Sequence, residues 1–359
     1  DHISVKLNKN KLKKLGFNQV IIDKYDKFFN KIKTIPTFVK FVKEILIRDI
    51  NNSIDNYKEM MTGEEDKSTI SIYSKYIDYS NSQLEVIQNF LEDFDDNKDN
   101  WSLDVLKDKE NGIQLIMQPI WAYSYLDKVV WKKYDHVIFM SGTILDKEMF
   151  SYINGLDKES TSYIEMDSTF DVKNRQIYYI KVGKMTYNER KKTFDSQVSI
   201  IKKILTKYKK SKGIIHTVNY EITEWLKDLV KDRRLLFHNG ENRDEMYNKF
   251  IKSKSAKVMV SPSMMTGIDL KHDLSRFSIM LKMPYPNISS NKIKSRQDSN
   301  REWYSYKSVC DIIQTYGRTI RSETDYSDTF ILDESFSNIL KYNSKYLPRY
   351  FTEAIKVLK

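Results

Sequence analysis

The stretch Val309-Cys310-Asp311-Ile312-Ile313-Gln314-Thr315-Tyr316-Gly317-Arg318-Thr319-Ile320-Arg321 is the part of the chain from which the rest can be read. Its spacing predicts a helix over 303–321, on which Gln314, Arg318 and Arg321 share one polar stripe at i, i+4 and i+7. Val309, Ile312, Ile313 and Ile320 fall on another face and can pack. Gly317 is out of place in a helix interior, where Gly costs roughly 1 kcal/mol relative to Ala. A close approach of some group to the backbone would account for it. Two arginines beside a glycine on a packed helix suit a polyphosphate. The same pattern also describes the solvated face of an amphipathic helix, and this stretch alone leaves both readings open.

Outward from this helix, the chain alternates. Strands are expected over 176–182, 213–217, 234–238, 257–261, 277–283 and 329–333. Helices are expected over 188–208, 221–231, 243–253 and 335–342. Such alternation predicts an α/β unit with a parallel sheet and crossover helices. Ligands of such sheets bind beyond the carboxyl ends of the strands. Upstream, 114–117 reads as a strand and 122–133 as a helix. The apolar run His136-Val137-Ile138-Phe139-Met140 reads as a buried strand. It leads through Ser141-Gly142-Thr143 into a helix from 147. Residues 1–110 lack clear strands and show apolar positions three and four apart, so a mainly helical region is expected. Its breaks fall at Ile35-Pro36, at 62–66 and at the acidic run 93–97, read as a solvated loop.

At 359 residues the chain suggests two or three domains. The net charge of +11 favours a polyanionic partner, although lysine, asparagine and isoleucine are abundant throughout and dilute that signal. Cys310 is the single cysteine, which excludes a disulfide framework, a zinc site or a cluster built from this chain alone. A reducing setting is expected, cytoplasmic for a bacterial or phage-encoded protein and nuclear for a eukaryotic one, with Cys310 as a packed thiol. No run of about 20 apolar residues occurs, so no membrane span is expected. The start at Asp1-His2, without Met, suggests a fragment.

Four stretches carry residue types with chemistry. Ser141 and Thr143 lie just past an expected strand, where their hydroxyls can relay between ligands; ordinary turn chemistry gives the same pattern. Thr217, Asn219 and Tyr220 follow the strand at 213 and suit phosphate or backbone contact, or a helix cap. Gly267 and Asp269 follow the strand at 257, where an acid can hold a ribose hydroxyl or order a metal-bound water, or form an Asx turn. Arg318 and Arg321 are the fourth. No G-x-x-x-x-G-K-[ST] loop is present. Gly183-Lys184 is a decoy, since Met185 follows it and Tyr178 stands where the first glycine belongs. Phe330-Ile331-Leu332-Asp333-Glu334 mimics a metal-binding strand end and is read as structural.

Taken together, these motifs resemble the carboxy-terminal part of superfamily 2 DNA helicases of the XPD/Rad3 and DinG type. Gln314–Arg321 looks like motif VI, Q-x-x-G-R-x-I-R, with Asp325-Tyr326 as its continuation. Residues 136–143 look like motif III, 213–220 take the place of motif IV, and 265–270 resemble motif V, with Thr266 where an acid is usual. Met283-Pro284-Tyr285-Pro286 resembles the P-[YF]-P that follows. The resemblance implies a helical arch-like insert over 1–110, the end of a first motor domain over 111–154, and a second RecA-like motor domain over 155–359. It implies ATP-dependent 5′→3′ movement on single-stranded or forked DNA by a monomeric motor, with no membrane. ATP and Mg2+ would be held mainly by a first RecA-like motor domain upstream, so this chain is expected to be inactive alone. Arg318 and Arg321 would be catalytic, reaching the γ-phosphate. Gly267, Asp269 and Gln314 would line the nucleotide cleft. Ser141, Thr143, Thr217, Asn219 and Tyr220 would contact or relay to nucleic acid. The rival reading is a non-catalytic nucleic-acid-binding or regulatory module that keeps the fold. A nuclease-linked or recombination ATPase on the same motor is a third.

Overall fold

The alternation of apolar runs is realised in a computed structural model that describes residues 2–108, 112–263, 270–320 and 322–358. The chain divides into two compact units. One comprises Asp1–Val137, Tyr152–Leu156 and Asn287–Arg301; the other comprises Ile138–Ser151, Asp157–Pro286 and Glu302–Lys359.

The first unit is helical, as expected, but also contains a sheet. Helices α1 (Lys9–Lys14), α2 (Gln19–Phe29), α3 (Ile35–Phe41), α4 (Ile47–Thr62), α5 (Lys67–Asp96) and α6 (Tyr123–Val129) follow strand β1 (Val5–Leu7). Strands β2 (Trp101–Asp108) and β3 (Gly112–Pro119) join β1 in an antiparallel sheet of order β1-β3-β2. The absence of strands expected over 1–110 is therefore corrected. Strand β3 alternates half-buried and buried residues along its length, a period of two that marks a half-buried strand.

The breaks in the helical region are helix ends. Thr34 caps α3 in a capping box, and Pro36 sits in its first turn, where no N–H is needed. Asp66 caps α5, accepting hydrogen bonds from Ser68 and Thr69 that hold its carboxyl well below the usual range. The acidic run 93–97 is not a solvated loop. Asp93 is buried within α5 and accepts hydrogen bonds from Trp101 Nε1 and Ser124 Oγ, both at 3.2 Å.

The second unit is a seven-stranded, wholly parallel sheet of order β10-β4-β9-β8-β5-β7-β6. Helix α7 (Lys147–Asn154) precedes β4 (Ile177–Ile180). There follow α8 (Arg190–Lys207), β5 (Gly213–His216), α9 (Tyr220–Leu229), β6 (Leu235–Phe237), α10 (Arg243–Lys252), β7 (Val258–Ser261) and β8 (Phe277–Met280). Helix α11 (Asn291–Ser299) belongs to the first unit, and the second continues with α12 (Arg301–Tyr316), β9 (Asp328–Ile331), α13 (Phe336–Tyr342), α14 (Arg349–Thr352) and β10 (Ile355–Leu358).

All six strands expected downstream of residue 176 form, and β10 adds a parallel edge strand beside β4. The inner strands β5, β7 and β8 are buried at every residue, as a sheet covered on both faces requires. Phe194, Ile201, Ile222 and Leu226 from α8 and α9 pack with Ile215, Val260 and Ile279 on one face, while Phe250 of α10 packs with Ile214 and Met259 on the other.

Two expectations fail in this unit. No strand forms over 136–140, where Ile138 and Met140 are 90% and 93% exposed. These apolar side chains have no sheet to enter among the described residues. The helix expected to reach Arg321 ends at Tyr316. Gly317 N–H still bonds the Ile313 carbonyl at 2.9 Å, and then the Arg318 carbonyl is taken by Leu270 N–H at 3.2 Å. Gly317 therefore closes the helix rather than interrupting it, and the three-residue stripe does not exist as a helical face.

Candidate nucleotide and nucleic-acid face

The end of α12 lies beside the amino end of β4, where the Tyr316 hydroxyl donates to the Arg175 carbonyl at 2.8 Å. Helix α12 buries Tyr306, Val309, Cys310, Ile313 and Tyr316, which fixes the orientation of its remaining side chains. Gln314 donates from Nε2 to Thr143 Oγ1 at 3.1 Å. Thr143 Oγ1 lies 3.0 Å from Ser141 Oγ, which also accepts the Thr143 N–H at 3.2 Å. The Cys310 thiol donates to the Thr143 carbonyl at 3.6 Å, and the Tyr306 hydroxyl donates to the Ile144 carbonyl at 2.6 Å. Burial pushes the Cys310 thiol up to about 11, so it stays protonated and serves packing. Ser141, Thr143 and Gln314 are thus brought into one hydrogen-bonded group.

Gly317 and Gly142 border a cavity of about 270 Å³ that is lined also by Phe170, Ile313, Tyr316 and Tyr350. A Cβ on Gly317 would meet the Ile313 and Gln314 carbonyls at 3.4 and 4.0 Å, ordinary contact distances, and a Cβ on Gly142 would meet nothing within 4 Å. Neither glycine is required by the packing of the described residues, so open space is kept on this side of the motif.

The end of β5 is built differently. Thr217 is fully buried and its hydroxyl lies 2.6 Å from that of Thr223, so it is committed to holding α9. Asn219 caps α9 by accepting Ile222 N–H at 2.8 Å. Tyr220 is 49% exposed at the start of that helix. Between them Val218 adopts φ 67°, a left-handed conformation that a β-branched residue rarely takes. Gly267, Asp269 and Arg321 lie outside the described residues. Arg318 is half-buried in the turn after α12.

Three residues not singled out from the sequence complete this edge. His216, the last residue of β5, is fully buried, and neither ring nitrogen has a hydrogen-bond partner among the described residues. Burial, with the Arg318 charge nearby, pushes its imidazole down to about 3. His238 Nδ1 lies 2.9 Å from the Asn239 carbonyl and therefore carries the proton. Its Nε2 then accepts from Ser261 Oγ at 2.8 Å, and Ser261 Oγ accepts Ser263 N–H at 3.2 Å. This chain ties the ends of β6 and β7 to one another and to Ser263. A histidine inside an apolar strand was the one available signal, and it does not distinguish a core residue from a site residue.

Asp333, at the end of the metal-binding mimic, accepts backbone N–H groups from Met185, Met283 and Ser335. Its oxygens are filled by these donors, and among the described residues no cluster of His, Cys, Asp or Glu suits a metal ion. Asp325 is buried and paired with Arg276 at 2.7 Å, so this part of the motif VI continuation anchors the turn.

An S-G-T turn is thus bonded to the Q-x-x-G end of α12, and residues 201–354 match the family described as the helicase C-terminal domain. The resemblance to XPD/Rad3 helicases holds in sequence and in fold.

Among curated relatives, the General transcription and DNA repair factor IIH helicase subunit XPD/RAD3 of Saccharomyces cerevisiae is 22% identical over 281 residues, covering 67% of this chain and 35% of the relative. ATP-dependent DNA helicase CHL1 of Vanderwaltozyma polyspora is 23% identical over 149 residues, covering 34% of this chain and 18% of that one. The chain thus spans well under half the length of these relatives. A solved apo XPD structure superposes over 99% of this chain and 73% of its own, with a TM-score of 0.64 at 14% identity. The S. tokodaii Xpd4 structure does so over 99% and 72%, at 0.53 and 16%. At these identities the structural likeness is one of fold. No described helix is long and apolar enough to cross a membrane.

Proposed function

We propose that this chain is the arch-like insert (1–110), the end of the first motor domain (111–154) and the second RecA-like motor domain (155–359) of an ATP-dependent DNA helicase or translocase with 5′→3′ polarity. The observation that carries this reading is the Gln314–Thr143–Ser141 group, which links the end of α12 to the S-G-T turn.

The residues present fit part of a polyphosphate site. Arg318 is a permanent cation in a turn beside open space. Thr319 Oγ1 is buried with no partner among the described residues, as a group awaiting a ligand or a neighbouring domain would be. A phosphate loop is lacking in the sequence, so ATP and Mg2+ would be held mainly by the first motor domain. Bound there, ATP supplies the phosphoryl-transfer free energy. Arg318 and Arg321 would stabilise the charge that shifts onto the leaving phosphate, an effect of about 10³–10⁵ in rate for such arginines. Gln314 would hold Thr143 and Ser141 in register with that site, while Gly267 and Asp269 would line it. Asn219 and Tyr220 would meet the single strand; the buried Thr217 would position them.

The exposed Val137–Met140 run supports a missing partner sheet. Burying an Ile or Met side chain contributes about 1.5–3 kcal/mol, so a first motor domain that covers Ile138 and Met140 would gain from them. The test uses the complete protein. Arg318→Ala and Arg321→Ala should each abolish ATP turnover while sparing single-stranded DNA binding, and the 359-residue chain alone should turn over no ATP. DNA-stimulated ATPase that persists in both variants would sink the assignment. A non-catalytic module would instead show no turnover in the complete protein at all.

A further inference from the structure

The start of α8 bears an arrangement that the fold itself does not use fully. Arg190 forms an ion pair with Glu221 of α9 at 2.8 Å. Its guanidinium lies 4.6 Å from the Tyr187 ring centroid and 5.8 Å from that of Trp225. Lys191, paired with Asp195, lies 5.0 Å from the Trp225 ring. Arg190, Glu221 and Trp225 knit α8 to α9, and that accounts for them. Tyr187 is not accounted for. It sits in the loop after β4, is 80% exposed, and its ring meets the Arg190 guanidinium. Half-exposed Tyr220 stands at the first turn of the neighbouring α9, beside Glu221.

We propose that Tyr187 is a stacking position for a base of single-stranded nucleic acid, and that it extends the strand contact assigned above to Tyr220. The inference rests on that reading of the strand-end face. The physical case is preorganisation. The guanidinium against Tyr187 restricts the ring, so less freedom is lost when a base stacks on it. Stacking on a fixed ring is sequence-tolerant, because every base has a π-face, and the adjoining Arg190 and Lys191 keep the local field attractive to the backbone.

The experiment measures binding of labelled oligo-dT, oligo-rU and an abasic oligomer of equal length to the 359-residue chain and to Tyr187→Ala and Tyr187→Phe. Tyr187→Ala should weaken oligo-dT and oligo-rU alike, by roughly fivefold or more. It should leave the abasic affinity and the melting temperature unchanged, and Tyr187→Phe should bind as the parent does. Equal affinity of Tyr187→Ala and the parent for oligo-dT overturns the proposal. So does an equal loss on the abasic strand, which would place the effect in the backbone or the fold, or a loss confined to one sugar type. A parent chain that binds none of the three strands overturns this proposal and the strand-end reading together, whereas normal binding that ignores Tyr187 overturns this proposal alone.

Discussion

Gln314 Nε2 and Thr143 Oγ1 are 3.1 Å apart although 171 residues separate them in the chain. Thr143 is held further by Cys310, and Ile144 by Tyr306, so the S-G-T turn rests on α12 through three side chains one helical turn apart. Gln314→Ala should cost about 0.5–1.5 kcal/mol, the net value of one part-buried hydrogen bond. Thr143→Val should cost a similar amount, and the double variant less than the sum. Denaturant unfolding of the four proteins checks this; strictly additive losses would show that the bond contributes nothing. In the complete protein, Gln314→Ala should lower DNA stimulation of ATPase more than basal ATPase.

The buried His216 makes a pH prediction. Its imidazole is pushed down to about 3, below the ordinary value near 6.5, by burial and then by Arg318. Between those values the unfolded chain binds a proton at this residue and the folded chain does not. The stability associated with a neutral His216 is therefore complete above about 6.5 and is lost as pH falls toward about 3. The slope is about 1.4 kcal/mol per pH unit within that window. His216→Leu should remove this part of the slope between pH 6.5 and 5, before most carboxylates titrate. It should also stabilise the fold at neutral pH by about 1–3 kcal/mol, because two unpartnered buried nitrogens disappear. Parallel pH–stability curves for parent and variant would refute the assignment of a neutral histidine.

Val218 sits at φ 67° between the two strand-contact candidates Thr217 and Asn219. A left-handed conformation costs a non-glycine residue of order 1–3 kcal/mol, and Asn tolerates it better than a β-branched side chain. Val218→Asn should raise stability by about 1 kcal/mol, seen as a rise of about 2–4 °C in melting temperature. A lower melting temperature would mean that the packing of the half-buried valine outweighs its backbone cost.

What the sequence makes legible follows from burial. The strands β5, β7 and β8 announce themselves because both faces are covered, which forces continuous apolar runs. The edge strand β10 is mostly exposed and leaves no such run. The run 136–140 has the composition of a buried strand, yet burial needs neighbours that the described residues do not include. Gly317 could have been read as a helix terminator, since Gly just past the last packed residue commonly ends a helix. The polar stripe with Arg318 and Arg321 obscured that signal. Asp93 looked like one acid in a solvated run because its partners, Trp101 and Ser124, only meet it in three dimensions. The motif residues themselves were legible as types; that Thr217 faces inward while Tyr220 faces outward was not.

Asp333 gives the sharpest stability test, because its reading as a structural strand end rests on counted bonds. Its Oδ1 accepts Met185 N–H at 3.1 Å and Ser335 N–H at 2.9 Å, and its Oδ2 accepts Met283 N–H at 2.8 Å. The carboxylate thus ties the loop after β4 and the segment after β8 to the end of β9. Lys282, whose amine burial pushes down, lies close enough for the Asp333 charge to oppose that shift. Asp333→Ala would leave three N–H groups without acceptors in a site only 2% exposed, and would strip Lys282 of its counter-charge. The expected loss is about 3–5 kcal/mol. Asp333→Asn should rescue little, because whichever oxygen becomes an amide then points N–H at N–H. Chemical denaturation of the two variants decides the matter. A loss below about 1 kcal/mol in Asp333→Ala would show that water replaces the carboxylate, and would reopen a ligand-binding role for this strand end.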